Sequence, residues 1–300
     1  EWDISFQINS RGFRDYEYSR PPSRSIVLLG DSMVEGYGVQ FSDVFGKRLE
    51  RTLRNTEVDS RVYIGGTSGR GPHTYLRVYE KLWAAEKTHS LVLMGFTLYN
   101  DIEPGPSSGF YNFPERVQST LWLKRFLGEY SALYNFLRRP VKLSRRWAPL
   151  AAKIGIISLP TIDKVYADPR YKDRWLYTAD LIDGFRRAIE SSEKDFVLVL
   201  LPTREQVEDD YYEWLLRVSK TAPKALQRFS FNEFMAGYAH KQGLKVLDLT
   251  PAFRKAYKEK GIALYFKTDS HFTSAGHALA AQEITADLKR RRLLRQFGVR

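Results

Sequence analysis

The sequence contains no cysteine. This absence excludes a disulfide framework, a thiol nucleophile and a thiolate metal site, and it is compatible with either side of a bacterial membrane. Long hydrophobic runs are missing as well, since every apolar segment is much shorter than the roughly 20 residues that a membrane-spanning helix needs. With 300 residues, 43% of them hydrophobic and 14% aromatic, the chain has enough apolar surface to bury a core, which excludes a disordered protein.

Acidic residues are in the minority. The chain has 35 Asp and Glu against 47 Lys and Arg, a formal net charge of +12. Such a balance favours anionic partners, namely an acidic polysaccharide, an anionic membrane surface or nucleic acid. The basic residues form short clusters without a recognisable DNA-reading helix, zinc finger or aromatic RNA-binding motif. We therefore expect no nucleic-acid partner, and a solvated basic surface is the simplest interpretation.

Short apolar segments alternate with amphipathic helical patterns along the chain. The segments predicted as buried strands are 25–30, 61–64, 90–96, 196–201 and 244–249. Between the first two, Ser42 is predicted to cap a helix that places Phe45, Leu49 and Leu53 on one face. This alternation predicts an α/β fold, a flavodoxin-like three-layer α/β/α arrangement around a five-stranded parallel sheet. We expect residues 1–300 to form a single domain.

Residues 102–190 interrupt this rhythm, because they are far longer than a simple crossover between parallel strands. We predict a helical insertion within the domain. Basic and aromatic residues are mixed over 121–157, which fits a lid over the active site or a surface that touches a membrane or a partner. An ordinary helical subdomain packed against the sheet explains the same pattern.

Two polar motifs could supply a reactive centre. Gly30-Asp31-Ser32 follows the first predicted strand, where open α/β sheets bind their ligands. Asp269-Ser270-His271 lies in a polar loop near the end of the chain. A serine hydroxyl becomes a nucleophile when an imidazole takes its proton, and a carboxylate must fix the tautomer of that imidazole. Taken singly, the first motif also fits a plain strand-to-helix turn and the second a helix cap.

Together with two further motifs, these resemble the SGNH hydrolases, also called the GDSL esterase and lipase family. The matching blocks, in chain order, are Gly30-Asp31-Ser32, Thr67-Ser68-Gly69, Asn100-Asp101 and Asp269-Ser270-His271. The resemblance covers roughly residues 25–101 and 195–290. The sequence departs from the family pattern in having Met33 in place of leucine. It also has one residue, rather than two, between Asp269 and His271.

The resemblance implies a role for each matched residue. Ser32 would be the nucleophile, His271 the base and Asp269 its acidic partner. The backbone N–H groups of Ser32 and Gly69 and the side-chain amide of Asn100 would form the oxyanion hole. No metal or cofactor is implied. Asp31 is interpreted as a hydrogen-bonding support for the turn, and His277 as a structural residue.

The implied activity is that of a serine esterase that cleaves carboxylic esters through an acyl-serine intermediate. Acetyl or other O-acyl groups on a cell-envelope or extracellular carbohydrate are the preferred substrate, which favours a periplasmic or envelope location in a bacterium. A lipid or acyl-thioester hydrolase, an O-acyltransferase with the same triad, and a catalytically silent glycan-binding protein are the alternatives. Arg70 and Arg204, each just past a predicted strand, are candidate contacts for an acidic glycan or lipid, although both also fit surface salt bridges.

Overall fold

A parallel sheet of five strands forms the centre of the structure. The computed structural model describes residues 2–54, 56–102, 172–218 and 228–299. The strands are β1 Arg24–Gly30, β2 Ser60–Gly66, β3 His89–Thr97, β4 Asp195–Leu201 and β5 Val246–Asp248. Their spatial order is β2-β1-β3-β4-β5. The predicted five-stranded parallel sheet is therefore confirmed, in the flavodoxin-like order.

Helices follow the strands along the chain. In the described part they are α1 Ser32–Glu35, α2 Phe45–Arg54, α3 Pro72–Leu82, α4 Leu98–Asp101, α5 Lys172–Glu190, α6 Arg204–Val207, α7 Asp209–Val218, α8 Ser230–Gln242, α9 Thr250–Lys260 and α10 Ser274–Arg290. The helix predicted from Ser42 begins three residues later, at Phe45, because a short 3-10 turn, Phe41–Asp43, precedes it. Strand β5 is shorter than the predicted segment 244–249.

Alternate residues of each strand face two separate hydrophobic cores. In β1, Val27 and Leu29 point into the core beneath α3, α5 and α8, whereas Ile26 and Leu28 point into the core beneath α2, α9 and α10. All four side chains have no exposed surface. Full burial of such a side chain stabilises the fold by about 1.5–3 kcal/mol. Burial on both faces explains why the strands are continuous apolar runs, and it confirms the three-layer arrangement.

The polar segment before β1 covers the outer edge of the sheet. Asp15 accepts a hydrogen bond from the backbone N–H of Ile64 in the edge strand β2 (3.0 Å) and pairs with the ammonium group of Lys47 (2.7 Å). Lys47 lies on α2, and only 3% of its side chain is exposed. An edge strand that is covered in this way cannot pair with another chain.

The predicted insertion is described only at its C-terminal end. There, α5 packs on the sheet through Trp175, Ile182 and Phe185, all of which are buried. Residues 103–171, which include the proposed membrane-contact segment 121–157, lie outside the described residues. None of the helices that the structure describes combines the length and the apolar character required to cross a bilayer.

Candidate active site

Ser32 is placed by the sharp turn that follows β1. Gly30 makes this turn tight, since a Cβ atom there would lie 2.3 Å from Val34 and 2.9 Å from the carbonyl oxygen of Gly95. Asp31 is the N-cap of α1, and its side chain accepts a hydrogen bond from the N–H of Met33 (2.9 Å). Ser32 is therefore the first residue of a short helix at the carboxyl end of the sheet, half-buried, as expected for a ligand site in an open α/β fold.

His271 reaches Ser32 from the loop before α10. An antiparallel bridge between Tyr265 and Phe272 closes this loop, and the N–H of Phe266 donates to the carbonyl of His271 (3.1 Å). The His271 Nε2 atom lies 2.7 Å from the Ser32 hydroxyl oxygen. At this distance the imidazole can accept the hydroxyl proton in a single step.

Asp269 holds the other side of the imidazole. One of its carboxylate oxygens contacts His271 Nδ1 and also accepts the backbone N–H of His271 (2.9 Å). A single intervening residue is therefore sufficient for the carboxylate to reach the ring. Because a carboxylate on Nδ1 requires a proton there, Nε2 is left as the acceptor that faces the serine.

Asn100 is oriented by the buried carboxylate of Asp31. Its side-chain amide donates a hydrogen bond to Asp31 Oδ2 (2.7 Å), while Thr97 approaches Oδ1 at 3.4 Å. Asp31 has no exposed surface. Burial raises the pKa of its carboxyl, and the hydrogen bonds from Asn100 and Met33 oppose this shift. An amide has two donor hydrogens, so the bond to Asp31 leaves one for a ligand.

Gly69 lies in the loop after β2, which is fastened to the serine turn at two points. Thr67 donates its N–H to the carbonyl of Gly30 (2.8 Å), and the Ser68 hydroxyl bonds to Glu35 at the end of α1. Gly69 is exposed and has a φ of +68°, a left-handed conformation that favours glycine. Within the described part of the chain, the N–H groups of Ser32 and Gly69 have no hydrogen-bond partner.

Tyr75 and Asp101 connect the loops after β2 and β3, a connection that the sequence did not reveal. The Tyr75 hydroxyl lies 2.6 Å from the carbonyl oxygen of Arg70 and 2.6 Å from Asp101 Oδ1. The second oxygen of Asp101 accepts the N–H of Thr97 (2.6 Å). In the sequence, Tyr75 fits the apolar face of a helix, and that pattern does not indicate this contact. Its position five residues after Arg70 was the one available signal.

Arg14 fixes the far end of α1 and was also missed. Its guanidinium group is buried and donates to the carbonyl oxygens of Glu35 (3.2 Å) and Val39 (2.7 Å), and also to that of Gly36. Burial lowers the pKa of Arg14, and the negative charge of Glu35 opposes that effect. Nothing in the surrounding sequence distinguishes this arginine from the exposed ones.

The two arginines predicted to contact substrate differ in their surroundings. Arg70 is exposed beside Gly69. Arg204 is bonded to Glu208 (2.7 Å) and to the carbonyl oxygens of Phe266 (3.1 Å) and Lys267 (3.0 Å), and its guanidinium lies over the ring of Tyr211. Arg204 therefore supports the loop that carries His271, and its contact with a substrate stays a prediction.

His277 lies behind the site, within the core. It is 1% exposed, and its Nδ1 accepts the N–H of Phe45 (3.3 Å). Burial, with a contribution from the positive charge of Arg48, lowers its pKa to about 3. The neutral imidazole is consequently a packing group at neutral pH. Among the described residues, no group of three or more acidic or histidine side chains converges as a metal site.

Comparison with known proteins gives one family match. A family model described as "SGNH hydrolase-like domain, acetyltransferase AlgX" matches residues 163–299. This range contains Asp269 and His271. The other matched blocks, with Ser32, Gly69 and Asn100, lie outside it.

One curated relative is the protein named "Probable alginate O-acetylase AlgJ" from Pseudomonas syringae pv. tomato. It is 26% identical to this chain over 198 residues, which are 59% of this chain and 46% of the relative. The chain thus spans about half the length of the curated relative that it matches.

Solved structures with similar coordinates include a member of the lipolytic protein G-D-S-L family from Veillonella parvula. It has 15% identity and a TM-score of 0.47, and the match covers 89% of this chain and 99% of that chain. A catalytic mutant of Axe2, an acetylxylan esterase from Geobacillus stearothermophilus, has 12% identity and a TM-score of 0.47, with 94% of this chain and 98% of that chain covered.

Proposed function

We propose that this chain, which is similar to the SGNH hydrolase-like domain over residues 163–299, is a serine enzyme that moves an acyl group between oxygen atoms, with an O-acylated carbohydrate as substrate or product. The observation that carries the proposal is the 2.7 Å contact between His271 Nε2 and the Ser32 hydroxyl, with Asp269 on the opposite ring nitrogen. A strand-to-helix turn or a helix cap does not require a serine, an imidazole and a carboxylate in consecutive contact.

The first half-reaction forms an acyl-enzyme. His271 Nε2 takes the Ser32 proton while Oγ attacks the ester carbonyl, and the resulting imidazolium is stabilised by Asp269. The N–H groups of Ser32 and Gly69 and the free amide hydrogen of Asn100 are the donors assigned to the developing oxyanion. Collapse of this intermediate breaks the ester bond, and His271 returns its proton to the departing alcohol. Ser32 then carries the acyl group.

The second half-reaction regenerates the serine. His271 takes a proton from the acceptor hydroxyl, whose oxygen attacks the acyl carbonyl, and the proton then returns to Ser32 Oγ as the new ester or acid leaves. A water molecule as acceptor makes the protein an esterase. A sugar hydroxyl makes it an O-acyltransferase.

Transfer to a sugar is the second candidate function. It is supported by the matching family model, which is named for an acetyltransferase, and by the curated relative, which is named as a probable alginate O-acetylase. Alginate is built from uronic acids and carries a carboxylate on each ring. The net charge of +12 and the exposed Arg70 favour an acidic glycan of this kind. The same relative supports a periplasmic or envelope location, which fractionation of the native cells tests.

The two activities separate in one experiment. The purified protein is incubated with 4-nitrophenyl acetate, with and without an acidic oligosaccharide, and released nitrophenolate, free acetate and acetylated sugar are measured. We expect turnover that is lost in Ser32→Ala and kept in Ser191→Ala, an exposed serine at the end of α5. Acetylated sugar identifies a transferase, and free acetate alone identifies an esterase.

Absence of any acetyl release or transfer by the wild-type protein, together with oligosaccharide binding that Ser32→Ala leaves intact, contradicts the enzymatic proposal. That result identifies a glycan-binding protein instead. Equal turnover by the wild type and Ser32→Ala contradicts the assignment of the nucleophile.

A further inference from the structure

Three aromatic residues from separate parts of the chain meet beside His271. We propose that Trp2, Tyr37 and Phe266 form the subsite that holds the sugar ring which carries or accepts the acyl group. We call these residues the aromatic cluster. This inference rests on the proposed function, since it names the part of the protein that recognises the carbohydrate.

Tyr37 is fixed at a short distance from the nucleophile. Helix α1 ends at Gly36 in the left-handed conformation, and the N–H groups of Gly36 and Tyr37 both donate to the carbonyl oxygen of Ser32 (3.0 Å each). Ser32 and Tyr37 are thus joined through a single turn of backbone. The position of the tyrosine ring is therefore set by the same turn that presents the serine.

The ring of Tyr37 also contacts the base. Its centroid lies 4.9 Å from that of His271, at an interplanar angle of 44°. A ligand that lies against Tyr37 is consequently adjacent to the reacting atoms, because His271 in turn contacts the Ser32 hydroxyl. A planar hydrophobic surface at this place can orient the ring that bears the ester.

Trp2 and Phe266 support the tyrosine from the side. The ring centroid of Trp2 lies 5.5 Å from that of Tyr37, edge to face, and 4.7 Å from that of Phe266. Gly38 lies under both rings with a φ of +87°, and a Cβ atom there would be 2.7 Å from Phe266 and 3.3 Å from Trp2. The close packing of this cluster therefore needs a glycine at position 38.

The cluster remains open to solvent. Tyr37 is 40% exposed, whereas most large aromatic residues of the described part are buried in the two cores. Exposed Tyr16, at 44%, packs against Tyr18 and Phe41 instead. An exposed aromatic surface that touches a reactive histidine is a ligand-binding feature, since aromatic side chains commonly line binding clefts.

The chemistry of the surface favours a sugar ring. A pyranose presents C–H groups on its faces and hydroxyl groups on its edge, so its face packs on an aromatic ring while its edge stays hydrogen-bonded. The tyrosine combines an apolar ring with a polar hydroxyl, which suits such a ligand. Arg70, exposed in the loop after β2, is available for the carboxylate of an acidic sugar.

The test compares a sugar ester with a small ester in the 300-residue chain. The probes are O-acetylated alginate oligosaccharides, O-acetylated xylo-oligosaccharides and 4-nitrophenyl acetate, and the variants are Tyr37→Ala and Trp2→Ala. We expect kcat/KM for the sugar esters to fall at least about tenfold more than kcat/KM for the aryl ester, mostly through KM. The control Tyr16→Ala removes a tyrosine of similar exposure, 44% against 40%, and is expected to leave this ratio at the wild-type value.

Two results overturn the inference. One is a ratio of sugar-ester to aryl-ester activity in Tyr37→Ala that equals the wild-type ratio. The other is a fall in kcat/KM that is larger for 4-nitrophenyl octanoate than for 4-nitrophenyl acetate, which assigns the aromatic cluster to binding of an acyl chain. The proposed function fails separately, because it requires loss of all turnover in Ser32→Ala. If the protein acts only as a transferase, the unacetylated oligosaccharides are used as acceptors, and the ratio compares kcat/KM for the acceptor sugar with kcat/KM for the aryl ester. Circular dichroism of each variant establishes that it is folded.

Discussion

The substitution Asp31→Asn removes a negative charge from beneath the reaction centre without changing the size of the side chain. Asp31 Oδ1 accepts hydrogen bonds from Met33 N–H (2.9 Å) and from the Thr97 hydroxyl (3.4 Å), and Oδ2 accepts one from the Asn100 amide (2.7 Å). An asparagine has a single oxygen. If that oxygen keeps the cap on Met33, the new NH₂ group faces the NH₂ group of Asn100, and two donors cannot bond to each other.

The size of the effect follows from the position of Asn100. Loss of one oxyanion donor lowers kcat by about 100-fold to 1000-fold, or about 2.7–4 kcal/mol of transition-state stabilisation. The effect on the free energy of unfolding is expected to be smaller, a loss of no more than about 1–3 kcal/mol for one unpaired buried donor. Asparagine is as good an N-cap as aspartate. Removal of the charge also removes the free-energy cost of burying a carboxylate, which is the effect that raises the pKa of Asp31.

The assay is steady-state turnover of 4-nitrophenyl acetate, with urea unfolding as the measure of stability. Asn100→Ala is expected to lower kcat by the same factor, and the double variant Asp31→Asn/Asn100→Ala is expected to be no slower than either single one, since both changes remove the same donor. A kcat of Asp31→Asn within about threefold of the wild type, a difference of about 0.7 kcal/mol, contradicts this role of Asp31. Strict additivity of the two losses of transition-state stabilisation in the double variant contradicts this role as well.

Three further predictions test the scaffold around the site. Arg204→Met frees the carbonyl oxygens of Phe266 and Lys267 and is expected to lower kcat by about 10-fold to 100-fold through displacement of His271, measured with the aryl ester; unchanged kcat contradicts a positioning role. Gly66→Ala is expected to lower the free energy of unfolding by about 1–3 kcal/mol, because its Cβ would lie 2.5 Å from the backbone nitrogen of Glu35; the control Gly184→Ala, in a helix with open space, should raise it by about 0.5–1 kcal/mol. For His277 the folded-state pKa of about 3 lies below the unfolded value of about 6.5. The unfolded chain therefore binds the extra proton as the pH falls. The contribution of His277 to the free energy of unfolding is complete above about pH 6.5, and this free energy falls by about 2 kcal/mol from pH 7 to pH 5. The variant His277→Gln should flatten this slope in urea unfolding, whereas the exposed His240→Gln should retain it.

The sheet was predictable because strands β1 to β4 are buried on both faces and therefore form continuous apolar runs in the sequence. β1 and β4 were located to within a residue, since Ile26 to Leu29 and Phe196 to Leu201 have no polar interruption. β5 was predicted too long, because its residues are only half-buried and its pairing with β4 stops at Asp248. The N-terminus of α2 was misplaced, because local cap signals do not distinguish a 3-10 turn from an α-helical one.

The site could be predicted only where the chemistry requires a specific side chain. Ser32, Asn100 and His271 belong to short motifs at strand ends, and the structure brings Ser32 next to His271 and Asn100 next to Asp31. The supporting contacts were not predictable. Arg14 and Tyr37 act through packing between segments that are far apart in the sequence, and no local pattern records which arginine or tyrosine is chosen.

Ser32 is the residue that we propose to carry the acyl group. Intact-mass and peptide-mass spectrometry after brief exposure to 4-nitrophenyl acetate or a fluorophosphonate tests it directly. We expect one adduct per chain, located on Ser32, absent in Ser32→Ala and present in Ser191→Ala. Slow labelling in His271→Ala is expected, because the imidazole is the base. An adduct on any other residue, or undiminished labelling of Ser32→Ala, contradicts the assignment of Ser32 as the nucleophile.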